Sequence, residues 1–214
     1  LDSNHGQAAA RNLGASIAVG EYLSFLDQDD EYLAVFYERA LQRLETEPGL
    51  AAVEVGAEYV RDGRVILQEP DPRYQAAIVS VPWNLVVRRN IFWSVGGFPI
   101  GEAFRTQAAG EDIPFKTALR QMVSVLYLPE KLIRHHIRDN SATDRYLKRT
   151  RLVNGKIEFL ETFANEDDGS LIRAMNEHVN QARQSFLAAQ RVQVNLPTAA
   201  PNPVAQPPVP WGPE

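Results

Sequence analysis

The stretch Gly20-Glu-Tyr-Leu-Ser-Phe-Leu-Asp-Gln-Asp-Asp30 decides the fold. Residues 22–26 are short and almost wholly apolar, the pattern of a strand buried on both faces of a parallel sheet, and they end abruptly in Asp27-Gln28-Asp29-Asp30. Upstream, residues 7–19 are rich in alanine and set Ala9, Leu13 and Ile17 on one helical face, with Gly20 where a helix C-terminal glycine belongs. Downstream, residues 33–45 carry Leu33, Phe36, Ala40, Leu41 and Leu44 at helical spacing and close at Pro48-Gly49. Residues 50–55 form another apolar run, and 58–68 read as a hairpin turning at Asp62-Gly63. A strand at 84–88, a helix from Asn90, a loop over 96–110, a helix at 113–122 and strands near 123–127 and 132–137 follow. Such alternation predicts an α/β fold with a mostly parallel sheet flanked by helices.

Past Ser141 the pattern changes. Tyr146, Val153, Ile157 and Leu160 form one stripe, and Ile172, Met175, Val179, Ala182, Phe186 and Ala189 a second. The expectation is a C-terminal helical hairpin, packed on the α/β body or serving a homo-oligomer. Half of the 14 prolines fall between Pro197 and Pro213, so the last segment reads as a disordered tail or linker. The expected divisions are a core over 1–140, a helical extension over 141–196 and a proline-rich tail over 197–214.

Composition narrows the function. With no cysteine among 214 residues, disulfide scaffolds, thiolate metal sites and cysteine nucleophiles are excluded. A net charge of −5 argues against nucleic-acid binding over the whole surface, and no apolar run approaches the ~20 residues of a spanning helix. Residues 131–151 hold seven Lys or Arg against two Asp, a basic patch suited to a phosphate-bearing substrate, to peripheral membrane contact, or simply to water. No serine-hydrolase elbow, phosphate loop or dinucleotide glycine motif occurs.

Three clusters carry chemistry. Asp27, Asp29 and Asp30 lie at a strand's carboxyl end, where open α/β sheets bind ligands; they suit a hard divalent ion such as Mg²⁺, or else a solvated turn capping the next helix. Glu111-Asp112 follows a glycine-flanked loop, and Asp112 is placed either as a general base or as N-cap of the helix after it. In Arg134-His135-His136-Ile137-Arg138, alternation puts His135 with Ile133 and Ile137 as a packing residue, leaving His136 for a metal or a diphosphate. Trp83 and Trp93 are either ligand-facing aromatics or core.

Taken in order, Asn4-His-Gly6, Ala10-Arg11-Asn12, Gly20 to Asp30, Val95-Gly-Gly-Phe98 and Gly110-Glu-Asp112 resemble the family-two inverting glycosyltransferases of the GT-A fold. The resemblance implies a Rossmann-like core that binds a nucleotide-diphosphate sugar through Asn4, Arg11, Asp27 and Asp29. It implies a metal held by Asp29, Asp27 and His136, a base at Asp112 aided by Glu111, and a saccharide, lipid-linked or protein acceptor. It also implies a cytoplasmic setting, peripheral at the inner face of the membrane. The family's first strands have no counterpart before Asn4, so the core is expected to be incomplete at its N-terminus. The Gln-x-x-Arg-Trp signature of processive synthases is absent, which favours single transfer. The competing expectation is a non-catalytic GT-A-like interaction module of a larger protein.

Overall fold

A computed structural model describes residues 5–106, 110–160 and 168–191. Its elements in chain order begin with α1 (Gly6–Ile17), β1 (Tyr22–Ser24), β2 (Glu31–Tyr32) and α2 (Phe36–Thr46). Then come β3 (Ala52–Arg61), β4 (Arg64–Leu67), α3 (Pro72–Ser80), β5 (Leu85–Arg88), α4 (Arg89–Ser94), α5 (Glu102–Thr106) and α6 (Asp112–Met122). β6 (Val125–His136), α7 (Ala142–Arg149), β7 (Thr150–Val153), β8 (Lys156–Phe159) and α8 (Asp168–Arg191) complete the described residues.

Among these residues the main sheet has the order β1-β5-β3-β6-β2, with β4 paired to β3. It is mixed rather than mostly parallel: β3 and β6 run parallel, while β1–β5, β3–β5, β2–β6 and β3–β4 are antiparallel. The α/β class holds because helices cover both faces. In β5, Leu85 and Val87 face a core shared with α1, α4, α6 and α8, while Val86 faces a second core shared with α2 and α3. That period of two places apolar residues on both sides of the strand. Burial on both faces produces the continuous apolar runs read as parallel strands, and those runs carry no information about strand direction. The Asp62-Gly63 hairpin forms where expected, with φ of +50° and +74° at the turn.

Several local expectations are corrected. α1 stops at Ile17, where the Ala18 N–H donates to Gly14 O, so Gly20 is no cap. Ala8 and Ala15 are its buried residues, and Leu13 and Ile17 are exposed. The two strands expected near 123–137 are one twelve-residue strand, β6. The expected helical hairpin is instead α7, a β-hairpin turning at Asn154-Gly155, and α8. Ala182 and Phe186 of α8 are buried against the body in the core with Phe115 and Leu119, while Ile172 of the same stripe is 37% exposed. The proline-rich tail lies outside the described residues.

Candidate active site

Separate pieces of the sequence meet at Arg11. From α1, Arg11 Nη2 donates to Asp27 Oδ1 at 2.9 Å, and Nη1 donates to Glu111 Oε1 at 2.9 Å and Asp112 Oδ1 at 2.8 Å. The guanidinium also lies over the Phe98 ring, 5.5 Å from its centroid. The planar fork of donors is what lets one side chain reach three carboxylates. The neighbouring Asn12 grips the backbone of Phe98 from both sides: Nδ2 donates to Phe98 O at 2.8 Å, and the Phe98 N–H donates to Oδ1 at 3.0 Å. Gly97 makes this possible, since its φ is +64° and a Cβ there would stand 2.9 Å from Asn12 Oδ1.

The Glu-Asp pair opens α6. Glu111 occupies the N-cap position without a side-chain capping bond, and Asp112 stands in the first turn rather than at the cap expected for it. Both carboxylates are turned to Arg11 instead of to the free amides, while the helix dipole still favours negative charge there. Burial pushes the Asp112 carboxyl up to about 8; Arg11 pulls it down, and Glu111 and Asp27 add to the rise. A carboxylate raised toward neutrality is matched to proton abstraction at physiological pH. With one guanidinium facing three carboxylates, the cluster keeps excess negative charge when all are ionised, a field that draws cations.

The acidic turn is anchored from below. The Asp30 N–H donates to Asp27 O at 3.1 Å, and the Asp30 side chain points inward, fully buried, onto His135. Asp27 and Asp29 remain 36% and 22% exposed, and Asp29 Oδ2 accepts from Arg138 at 2.6 Å. The capping alternative does not hold: α2 begins after Val35, with no side-chain cap.

His136 is not brought to this pair; its Nε2 lies 3.0 Å from Glu31 Oε1. Among the described residues no group of three or more His, Asp or Glu is gathered to hold a metal. Two hard carboxylates two positions apart in one turn nevertheless suit a divalent cation of the Mg²⁺ type, which commonly takes one or two carboxylates and completes its shell with phosphate oxygens. The fit is therefore to Asp27 and Asp29 without His136.

Asn4 lies outside the described residues, as do 107–109 of the loop expected over 96–110. Trp83 is core, 1% exposed and stacked on His135, whereas Trp93 is 42% exposed. Much of the basic patch is spent in ion pairs: Arg134 with Glu31 and Glu58, Arg138 with Asp29, Lys148 with Asp144, Arg151 with Glu158. Among the described residues no helix is long and apolar enough to cross a membrane.

Sequence reading missed the buried ion cluster behind the site. Lys116 Nζ, fully buried, donates to Val81 O at 2.7 Å and Asn84 Oδ1 at 2.6 Å and lies 3.3 Å from Glu54 Oε1; Arg120 Nη2 donates to Glu54 Oε2 at 2.5 Å. The available signal was a charge inside an apolar run: Glu54 within Ala51-Ala-Val-Glu-Val-Gly-Ala57, and Lys116 between Phe115 and Ala118.

A sheet layered between helices, with an acidic turn at a strand end facing a Glu-Asp pair across an arginine, makes this an α/β domain with a GT-A-like fold. Residues 1–124 match the family model described as Glycosyl transferase family 2, and the chain belongs to that family. An uncharacterized glycosyltransferase of Haemophilus influenzae is 28% identical over 142 residues, which are 61% of this chain and 46% of that protein. The crystal structure of S. aureus TarS 1–349 superposes with a TM-score of 0.53 at 16% identity, covering 91% of this chain and 54% of that one, a likeness of fold. A mannosyltransferase of Pyrobaculum calidifontis, in complex with GDP-Man and Mn²⁺, gives a TM-score of 0.44 at 17% identity over 90% of this chain and 56% of that one. The chain spans about half the length of the relatives it matches.

Proposed function

We propose that this chain carries the catalytic face of an inverting glycosyltransferase, which moves a sugar from a nucleotide-diphosphate donor to an acceptor hydroxyl. The observation that carries this reading is the Arg11 junction, which sets the donor-side Asp27 and the base-side Asp112 on one guanidinium. Asp112 takes the proton of the acceptor hydroxyl as its oxygen attacks the anomeric carbon. The bond from that carbon to the diphosphate breaks on the opposite face, and the electron pair leaves with the nucleoside diphosphate. Glu111, 3% exposed, holds Arg11 against Asp112. Asp27 and Asp29 are the residues that would hold Mg²⁺ or Mn²⁺, which when bound supplies Lewis-acid neutralisation of charge on the leaving group. Residues 1–140 form the catalytic core in this reading and 141–196 an extension packed on it; the acceptor is a saccharide, lipid-linked or protein hydroxyl.

Asp112→Asn keeps the size of the side chain and removes the proton acceptor. Transfer from UDP- or GDP-sugars to a panel of acceptors is expected to fall by about 10²- to 10⁴-fold, while nucleotide binding by calorimetry with Mn²⁺ stays within about threefold. Transfer by Asp112→Asn at the wild-type rate rules out Asp112 as the base. Wild-type protein that neither binds a nucleoside diphosphate nor transfers a sugar rules out the donor reading itself.

A further inference from the structure

We propose that His135 is a positioning residue for the acidic turn: acting through Asp30, it fixes the orientation in which Asp27 and Asp29 are presented. The functional meaning of that orientation rests on the donor reading above; the mechanical claim does not.

Asp30 is a carboxylate with no exposed side-chain surface, and a buried carboxylate requires donors. It has two: His135 Nδ1 lies 2.8 and 2.9 Å from its two oxygens, and the His136 N–H donates to Oδ1 at 3.1 Å. A carboxylate only accepts, so the hydrogen sits on Nδ1 and orients the ring. The opposite nitrogen, Nε2, lies 3.1 Å from Thr143 Oγ1 in the first turn of α7. Both ring nitrogens are therefore engaged, which leaves neither for a metal. The ring itself is clamped, stacked on Trp83 with centroids 4.9 Å apart and 16° between planes, and edge-on to Tyr59 at 5.2 Å.

Apart from the ion pairs of Asp27 with Arg11 and of Asp29 with Arg138, little holds the backbone of the turn. The strand after it, β2, pairs with β6 through only Glu31↔Arg134 and Tyr32↔Ile133. Within the turn the backbone contributes the Asp30 N–H to Asp27 O bond. The Asp30–His135 joint thus ties the carboxylates to the long strand β6, to the aromatic core and to α7. Without that joint, the backbone that presents Asp27 and Asp29 is left to the two-residue pairing of β2 and to their own ion pairs.

Two substitutions separate the ring's hydrogen bond from its bulk. His135→Asn places an amide N–H near the position of Nδ1 and keeps the donor to Asp30; His135→Gln reaches toward Thr143 and loses it. Amide hydrogen exchange by NMR, on the full chain without ligand, reads the joint directly. The Asp30 and His136 amides are expected to exchange about tenfold or more faster in His135→Gln, with β3 amides unchanged, and to stay within about threefold of wild type in His135→Asn. Unchanged exchange in His135→Gln, or equal loosening in both variants, overturns the proposal. Should His135→Gln fail to fold, Asp30→Asn, which removes the charge from the acceptor, is expected to speed the same two amides several-fold, and no change there overturns it equally. Calorimetric titration with Mn²⁺ and UDP or GDP then tests the consequence: binding weakened about tenfold in His135→Gln and retained in His135→Asn supports it, and equal binding in both overturns the role toward the donor. A wild type that binds neither nucleotide removes the donor reading, while the exchange result still decides whether His135 fixes the turn.

Discussion

At the scale of the residue, Arg11 controls the chemistry of its neighbours. It is 11% exposed and is the one cation in direct contact with Asp27, Glu111 and Asp112 among the described ion pairs. As the proposed base, Asp112 acts only when ionised, so with its pKa raised to about 8 by burial the rate is expected to climb with pH through neutrality and level off above about pH 8. Arg11→Met removes the charge that pulls Asp112 down while Glu111 and Asp27 remain to push it up. The rising limb of kcat/KM therefore moves to higher pH in that variant, and at pH 7 the rate falls about tenfold for each unit of the move. Arg11→Lys keeps the charge but not the fork, and its limb is expected between the two. A profile of kcat/KM from pH 6 to 9.5 measures all three; an unmoved limb in Arg11→Met shows that the guanidinium does not tune the base. Arg11, Asp27 and Asp112 were each legible as short motifs. The meeting of Arg11 with Asp112 was not, because 101 positions separate them and only the packing of α1 and α6 in one core brings them together.

At the scale of the element, glycine is where sequence reading both succeeded and failed. Asp62-Gly63 was legible as a turn, yet the equivalent Asn154-Gly155 lay within a stripe of apolar residues that suits a helix equally well, so β7 and β8 were read as helical. Thr150, Val153 and Ile157 are β-branched, and Asn-Gly favours a two-residue hairpin turn; those local preferences outweighed the periodicity. Gly97 and Gly155 separate two costs. At Gly155, φ is +75° and a Cβ would meet nothing within 4 Å, so Gly155→Ala is expected to cost about 1 kcal/mol of backbone strain alone. At Gly97, φ is +64° and the Cβ would also press on Asn12 Oδ1 at 2.9 Å and on Phe92 at 3.3 Å. Gly97→Ala is therefore expected to cost roughly 2–4 kcal/mol and to loosen Phe98, which lies under the Arg11 guanidinium. Urea melts of the two variants compare them; equal losses show that Asn12 yields freely.

At the scale of the whole molecule, the sheet and α6 are joined by buried charge as well as by apolar packing. Glu54, 2% exposed on β3, meets Lys116 and Arg120 of α6, whose first turn carries Asp112. Burial raises the Glu54 carboxyl, and the two cations more than reverse this, leaving it below its ordinary value. Burial pushes the Lys116 ammonium down to about 7 despite Glu54. Glu54→Gln keeps the shape and leaves Lys116 with carbonyl and amide oxygens only, so near pH 6 it is expected to destabilise the fold by about 3–5 kcal/mol. The sign with pH follows from Lys116. Its unfolded pKa lies near 10.5 and its folded value is lower, so folding releases a proton between the two and stability from this group rises with pH across that window. Removing Glu54 lowers the folded value further. At pH 9 Lys116 is already neutral in both proteins, and the variant loses only the Glu54–Arg120 contact. The deficit of Glu54→Gln in denaturant melts is therefore expected to be smaller at pH 9 than at pH 6. A deficit below about 1 kcal/mol at pH 6, or one that grows with pH, would show that Lys116 is not held charged by Glu54, and that α6 is seated on the sheet by its apolar face alone.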